Sequence, residues 1–149
     1  MKTNNDTGLL APWLQLFFTK YLTQQKQVSG HTIYSYRDTF RLLLRFLEQT
    51  RKRSPSCVSL DDIDASLVSD FLLTLERDRT ISARTRNLRL TAIRSFFRFI
   101  SHELPERGGQ IQRILAIPAK RQPHPLVHFL IPSEAEALLA APDCSTWLA

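Results

Sequence analysis

The chain has few of the residues that staple or break a fold: two cysteines, four glycines and one methionine among 149 residues. Cys57 and Cys144 stand far apart with no partner at metal-ligand spacing, so neither a disulfide nor a metal site is expected. No stretch approaches the roughly 20 consecutive apolar residues that a membrane span requires. The opening Met1-Lys2-Thr3-Asn4-Asn5-Asp6 lacks the basic start, apolar middle and small-residue cleavage site of a secretory signal, which sets a cytoplasmic expectation with no membrane partner. A Walker-type glycine loop, a Ser-His-Asp arrangement and a metal-binding cluster are all missing. The enzyme classes built on those motifs have nothing to rest on, so neither a cofactor nor a small-molecule substrate is expected.

What is present suits a helical domain. With 43% apolar residues the chain can bury one core, and its length allows one domain and the edge of a second. Apolar spacings of three and four dominate and the prolines gather after Leu104, so the expected fold class is all-α, a compact bundle of four to five helices. The expected organisation is a flexible N-terminus over 1–11, a helical domain over 12–117, a Pro-rich extended linker over 118–130, and the first helix of a truncated second domain over 131–149.

Within the bundle, a first helix is expected from Pro12 to about Val28, with Leu14, Phe17, Phe18, Tyr21 and Leu22 on its apolar face and Trp13 and Leu16 flanking it, free to stay exposed. Ser29 or Gly30 can cap a second helix that runs to about Lys52 on Ile33, Tyr36, Phe40, Leu43, Leu44 and Leu47. The acidic Asp61-Asp62-Ile63-Asp64 precedes a third helix. Ser82 can cap a fourth, whose apolar residues from Leu88 to Ile100 cover more than half its circumference and place it mid-bundle. Gly108-Gly109 is expected to break the chain before a short apolar piece, and Ser133-Glu134-Ala135-Glu136 is a capping box.

The charge is uneven. The net charge is +6, and Arg79, Arg84, Arg86, Arg89, Arg94 and Arg98 follow one another with no acid between them. On a helical wheel Arg84, Asn87, Thr91, Arg94 and Arg98 form a polar arc, whereas Arg86 and Arg89 fall on the core side. The first two turns of the fourth helix are therefore expected to project past the core, as a helix entering a major groove would, unless Arg86 and Arg89 pair with the acidic third helix. Arg37, Arg41 and Arg45 make a weaker stripe behind His31, Thr32, Tyr34 and Ser35 at the start of the second helix. Acids gather elsewhere, at Asp61, Asp62, Asp64, Asp70, Glu76 and Asp78, a polarity that steers a polyanion to one side. The candidate DNA-binding residues are His31, Thr32, Tyr34, Ser35, Arg37, Arg41, Ser82, Arg84, Thr85, Arg86, Asn87 and Arg89, with duplex DNA as the expected partner. The rival reading is a helical protein-interaction module whose basic face meets an acidic partner, with exposed Trp13 and Leu16 as its apolar contact.

Ser29-x-x-Thr32-x-x-x-Tyr36-x-x-x-Phe40, together with Ser82-x-x-Thr85-x-x-Leu88 leading to Ile93-Arg94-Ser95-Phe96-Phe97-Arg98-Phe99, resembles the N-terminal core-binding domain of the tyrosine recombinase, or phage-integrase and Xer-like, family. The similarity covers about Trp13 to Ile117. It implies a SAM-like bundle that clamps DNA opposite a catalytic domain, with the second and fourth helices across adjacent grooves. It further implies recombinase protomers as partners in a tetrameric synapse, and a full-length parent that exchanges DNA strands through a tyrosine nucleophile aided by a His-x-x-Arg motif. His31, His102, His124 and His128 are followed three positions on by Tyr34, Pro105, Val127 and Ile131, and Tyr21, Tyr34 and Tyr36 fall on early helices, so these 149 residues alone are expected to be catalytically inert.

Overall fold

The computed structural model describes residues 8–122. Helix α1 (Leu10–Leu16) passes directly into a π-helical segment (Phe17–Gln25), followed by α2 (Gly30–Arg51), α3 (Ala65–Arg79), α4 (Ala83–Glu103) and α5 (Gly108–Leu115), with single 3-10 turns at Pro55–Cys57, Leu60–Asp62 and Pro105–Arg107. The one β pairing among the described residues is an isolated bridge between Leu9 and Ser59.

Three helices begin on side chains suited to the task. Ser29 Oγ accepts the Thr32 N–H at 3.3 Å, Asp64 Oδ1 accepts the Leu67 N–H at 2.8 Å, and Ser82 Oγ accepts the Thr85 N–H at 3.1 Å. Each bond satisfies a backbone donor that the first helical turn leaves without a partner. Helices α2 and α3 both end on a left-handed residue, Lys52 at φ 55° and Thr80 at φ 51°.

The core joins α2, α3 and α4 through Phe40, Leu43, Leu47, Val68, Phe71, Leu72, Leu90, Ile93, Phe96, Phe97 and Ile100, all nearly or fully buried. Phe17 locks the N-terminal segment onto this core. Its ring is fully buried, stacks on Tyr21 and Tyr36 at 5.6 and 6.4 Å, and meets Phe96 edge-on at 5.4 Å. The α4 helix is the mid-bundle element that its apolar circumference predicts.

Four expectations are corrected. The first helix starts at Leu10, not Pro12, because Leu10 is fully buried and its N–H donates to Val58 O at 2.9 Å. It also changes to π geometry at Phe17 and ends at Gln25, not at Val28. Trp13 is buried and lies edge-on to Phe99 at 6.4 Å, so it is not an exposed contact. Gly108-Gly109 does not break the chain but opens α5: burying Ile111 and Ile114 outweighs the roughly 1 kcal/mol that each helical glycine costs. The expected capping box at Ser133 and most of the expected linker lie outside the described residues.

Candidate nucleic-acid interface

The two helix starts share one local design. Ser29 and Thr32 hydroxyls lie 3.0 Å apart, Ser82 and Thr85 hydroxyls 3.1 Å apart, so a Ser-x-x-Thr pair closes each tip. The caps engage the hydroxyls of Thr32, Ser82 and Thr85, three of the candidate DNA-binding residues.

Packing of α2 against α4 brings the tips side by side. Between them opens a cleft of about 430 Å³, lined from α2 by Tyr34, Ser35, Arg37, Asp38 and Arg41 and from α4 by Thr85, Leu88 and Arg89. Six of the twelve sequence-predicted residues therefore share one depression. Tyr34 stands 72% exposed at its edge, and Arg37 and Arg41 are exposed as well. Arg84 is exposed on the first turn of α4, while His31 is exposed on α2 without lining the cleft. Arg37, Arg41 and Arg84 make no ion pair among the described residues. The stripe does not continue to Arg45, which turns toward α3 beside Phe46, Leu75 and Asp78, since residues four apart drift about 40° around a helix.

Arg86 and Arg89 do not project freely, which corrects the expectation that the first two turns of α4 overhang the core. Arg89 donates to Asp38 Oδ2 at 2.7 Å, to Thr39 Oγ1 at 3.1 Å and to Ser35 O at 3.3 Å. Arg86 sits 13% exposed, its Nε 3.4 Å from Glu76 Oε1 of α3 but without hydrogen-bond alignment, and it donates to Pro118 O at 3.0 Å. A guanidinium on the core side of a helix must be paired to be tolerated, and these two tie α4 to α2 and α3. Asn87 is likewise engaged, by Lys120.

Arg94, further along the same flank, donates to Ile117 O; burial first, then repulsion from Arg98 and Arg86, lowers its pKa from the ordinary arginine value. Local spacing does not reveal two participants: the surrounding arginines hide Asp38, and Leu88 belongs to the apolar circumference of α4 although half of it is exposed. Glu76 is the partner that the alternative pairing of Arg86 with the acidic third helix anticipates. The acid at Asp38, within a basic helix and three positions ahead of Arg41, was the one available signal.

An all-helical bundle presenting two adjacent capped tips with exposed arginines defines a class of helical domain with a cationic face. Residues 17–103 match the model of the phage integrase N-terminal SAM-like domain, and the chain belongs to that family. It is 56% identical over 138 residues to the protein named "Putative integrase/recombinase y4rC" of Sinorhizobium fredii, covering 93% of this chain and 42% of that one. It is 39% identical over 138 residues to "Putative integrase/recombinase y4rD" of the same organism, covering 93% and 49%, and 28% identical over 129 residues to "Tyrosine recombinase XerC" of Anoxybacillus flavithermus, covering 87% and 40%. The chain thus spans less than half the length of these relatives. No solved structure matches it. Among the described residues no helix is long and apolar enough to cross a membrane.

Proposed function

We propose that this bundle binds duplex DNA as the core-binding module of a tyrosine-type site-specific recombinase, with the α2 and α4 tips forming the contact surface. The observation that carries this reading is the exposure of Arg37 and Arg41 along the α2–α4 cleft and of Arg84 on the first turn of α4, cations left unpaired among the described residues while their neighbours Arg86 and Arg89 are neutralised within the fold. Charges kept free beside charges that are paired are what a polyanion can use.

Tyr34, Thr85 and Leu88 add a stacking or apolar edge between these cations. Arg86 and Arg89 act here as positioning residues that hold the tips in register. Strand exchange by a longer parent, assembled with further protomers on DNA, belongs to this proposal with family membership as its support, as do a catalytically inert bundle and a cytoplasmic setting. The rival interaction module loses most of its apolar anchor, because Trp13 is buried and Leu16 is partly buried against the core.

The deciding measurement is a titration of the chain with duplex DNA at several salt concentrations. Three to five phosphate contacts require a slope of log affinity against log salt of about −2.7 to −4.5. A flat salt response, or no binding at low salt, would overturn the reading.

A further inference from the structure

Asn87 is in the second turn of α4, among residues that suit base or phosphate contact, yet its carboxamide is already occupied. Its Nδ2 donates to Lys120 O at 2.7 Å, and its Oδ1 accepts the Lys120 N–H at 2.8 Å and Arg86 at 3.2 Å. This is a two-bond grip on one residue's backbone, the pairing that a neighbouring strand would supply. Arg86 holds Pro118 O, Arg94 holds Ile117 O, and the Lys120 ammonium pairs with Glu76, the carboxylate that also faces Arg86.

These contacts occupy one flank of α4. Thr85, Leu88 and Arg89 look the other way, into the cleft with α2. The strand leaving the bundle is therefore laid along the side of α4 opposite α2, beside the tip but clear of the cleft.

We propose that Asn87 is a positioning residue, a clasp that fixes the departing strand at Lys120 and so sets its direction from the tip of α4. To read an adenine edge bidentately, Asn87 would have to surrender both bonds to Lys120. The clasp itself is independent of DNA. Its consequence rests on the proposed DNA contact: the helix tip that meets the duplex and the backbone at Lys120 are held in one register.

Amide hydrogen exchange on the 149-residue chain tests the clasp directly, since Asn87 Oδ1 is the acceptor for the Lys120 N–H. In the unaltered protein that amide exchanges slowly, and in Asn87→Ala it exchanges about tenfold faster, while core amides such as that of Leu43 keep their rates. Trypsin cleavage after Lys120 and Arg121 accelerates in parallel. Asn87→Asp keeps the acceptor for the Lys120 N–H but sets a carboxylate oxygen against the Lys120 carbonyl in place of the Nδ2 donor, so the Lys120 amide exchanges faster than in the unaltered protein but slower than in Asn87→Ala, and that acceleration carries the test should Asn87→Ala unfold. The affinity of Asn87→Ala for duplex DNA stays within about twofold of the unaltered protein, because one net hydrogen bond at a residue off the contact surface is not involved. Free exchange of the Lys120 amide in the unaltered protein, or unchanged exchange in Asn87→Ala, overturns the clasp, and a tenfold loss of DNA affinity in that variant overturns the placement of Asn87 off the contact surface. A chain that never binds duplex sinks the DNA reading and leaves the exchange result standing.

Discussion

At the scale of single residues, the arginines divide by what surrounds them rather than by where they fall in the chain. Arg84 is exposed and unpaired among the described residues, so Arg84→Ala should weaken duplex binding about fivefold to tenfold, roughly 1 kcal/mol, with an unchanged urea midpoint; DNA titration beside urea denaturation checks both. Arg89→Ala should behave differently. It strands Asp38 and takes one donor from Thr39 Oγ1, which keeps its own bond to Ser35 O, and because Asp38 keeps half its surface in water the expected stability loss is about 1–2 kcal/mol rather than the larger cost of a fully buried pair. If Arg89→Ala left the urea midpoint unmoved while reducing DNA affinity as strongly as Arg84→Ala, its positioning role would be wrong.

At the scale of elements, the caps and the turns set where each tip lies. Ser82→Ala removes the acceptor for Thr85 N–H and should cost about 1 kcal/mol, with Ser82→Asp restoring most of it. The turn between α3 and α4 has only Thr80, Ile81 and Ser82, and Thr80 occupies the left-handed region at φ 51°, where a β-branched side chain is strained. Thr80→Gly should therefore raise stability by up to about 1 kcal/mol, the relieved strain being partly offset by glycine's greater freedom in the unfolded chain. A lower midpoint for Thr80→Gly in thermal or urea unfolding would contradict that account. The π-helical stretch belongs to this scale as well, since Phe17 within it touches rings from both α2 and α4. Phe17→Ala should cost about 3–5 kcal/mol and loosen the cleft by letting α2 and α4 part, visible as lost stability in urea and faster exchange of α2 amides.

At the scale of the whole molecule, charge is sorted by burial. Ion pairs Arg89–Asp38 and Arg107–Asp61 join elements distant in the chain and Arg86–Glu76 joins the consecutive α3 and α4, while Arg37, Arg41 and Arg84 remain exposed and unpaired among the described residues. Those inter-element pairs are partly sheltered from solvent, so added salt should depress DNA affinity steeply while leaving the unfolding midpoint within a few degrees. Parallel salt series of DNA titration and thermal unfolding check this, and a midpoint that falls in step with affinity would mean that the same charges carry both.

The amino-acid order by itself determined the helical class, the caps at Ser29 and Ser82, the central place of α4 and the two basic tips. Each of these is written in local spacing or in a residue's competition for nearby backbone groups, which needs no knowledge of distant partners. Only tertiary structure decided that Arg86 and Arg89 are tied down, that Trp13 is buried, that glycines open α5, and that Asn87 grips Lys120. Those outcomes depend on contacts between different elements, most of them between residues tens of positions apart. A helical wheel reports which side of its own helix a side chain occupies, but not which carboxylate or carbonyl another element brings to meet it.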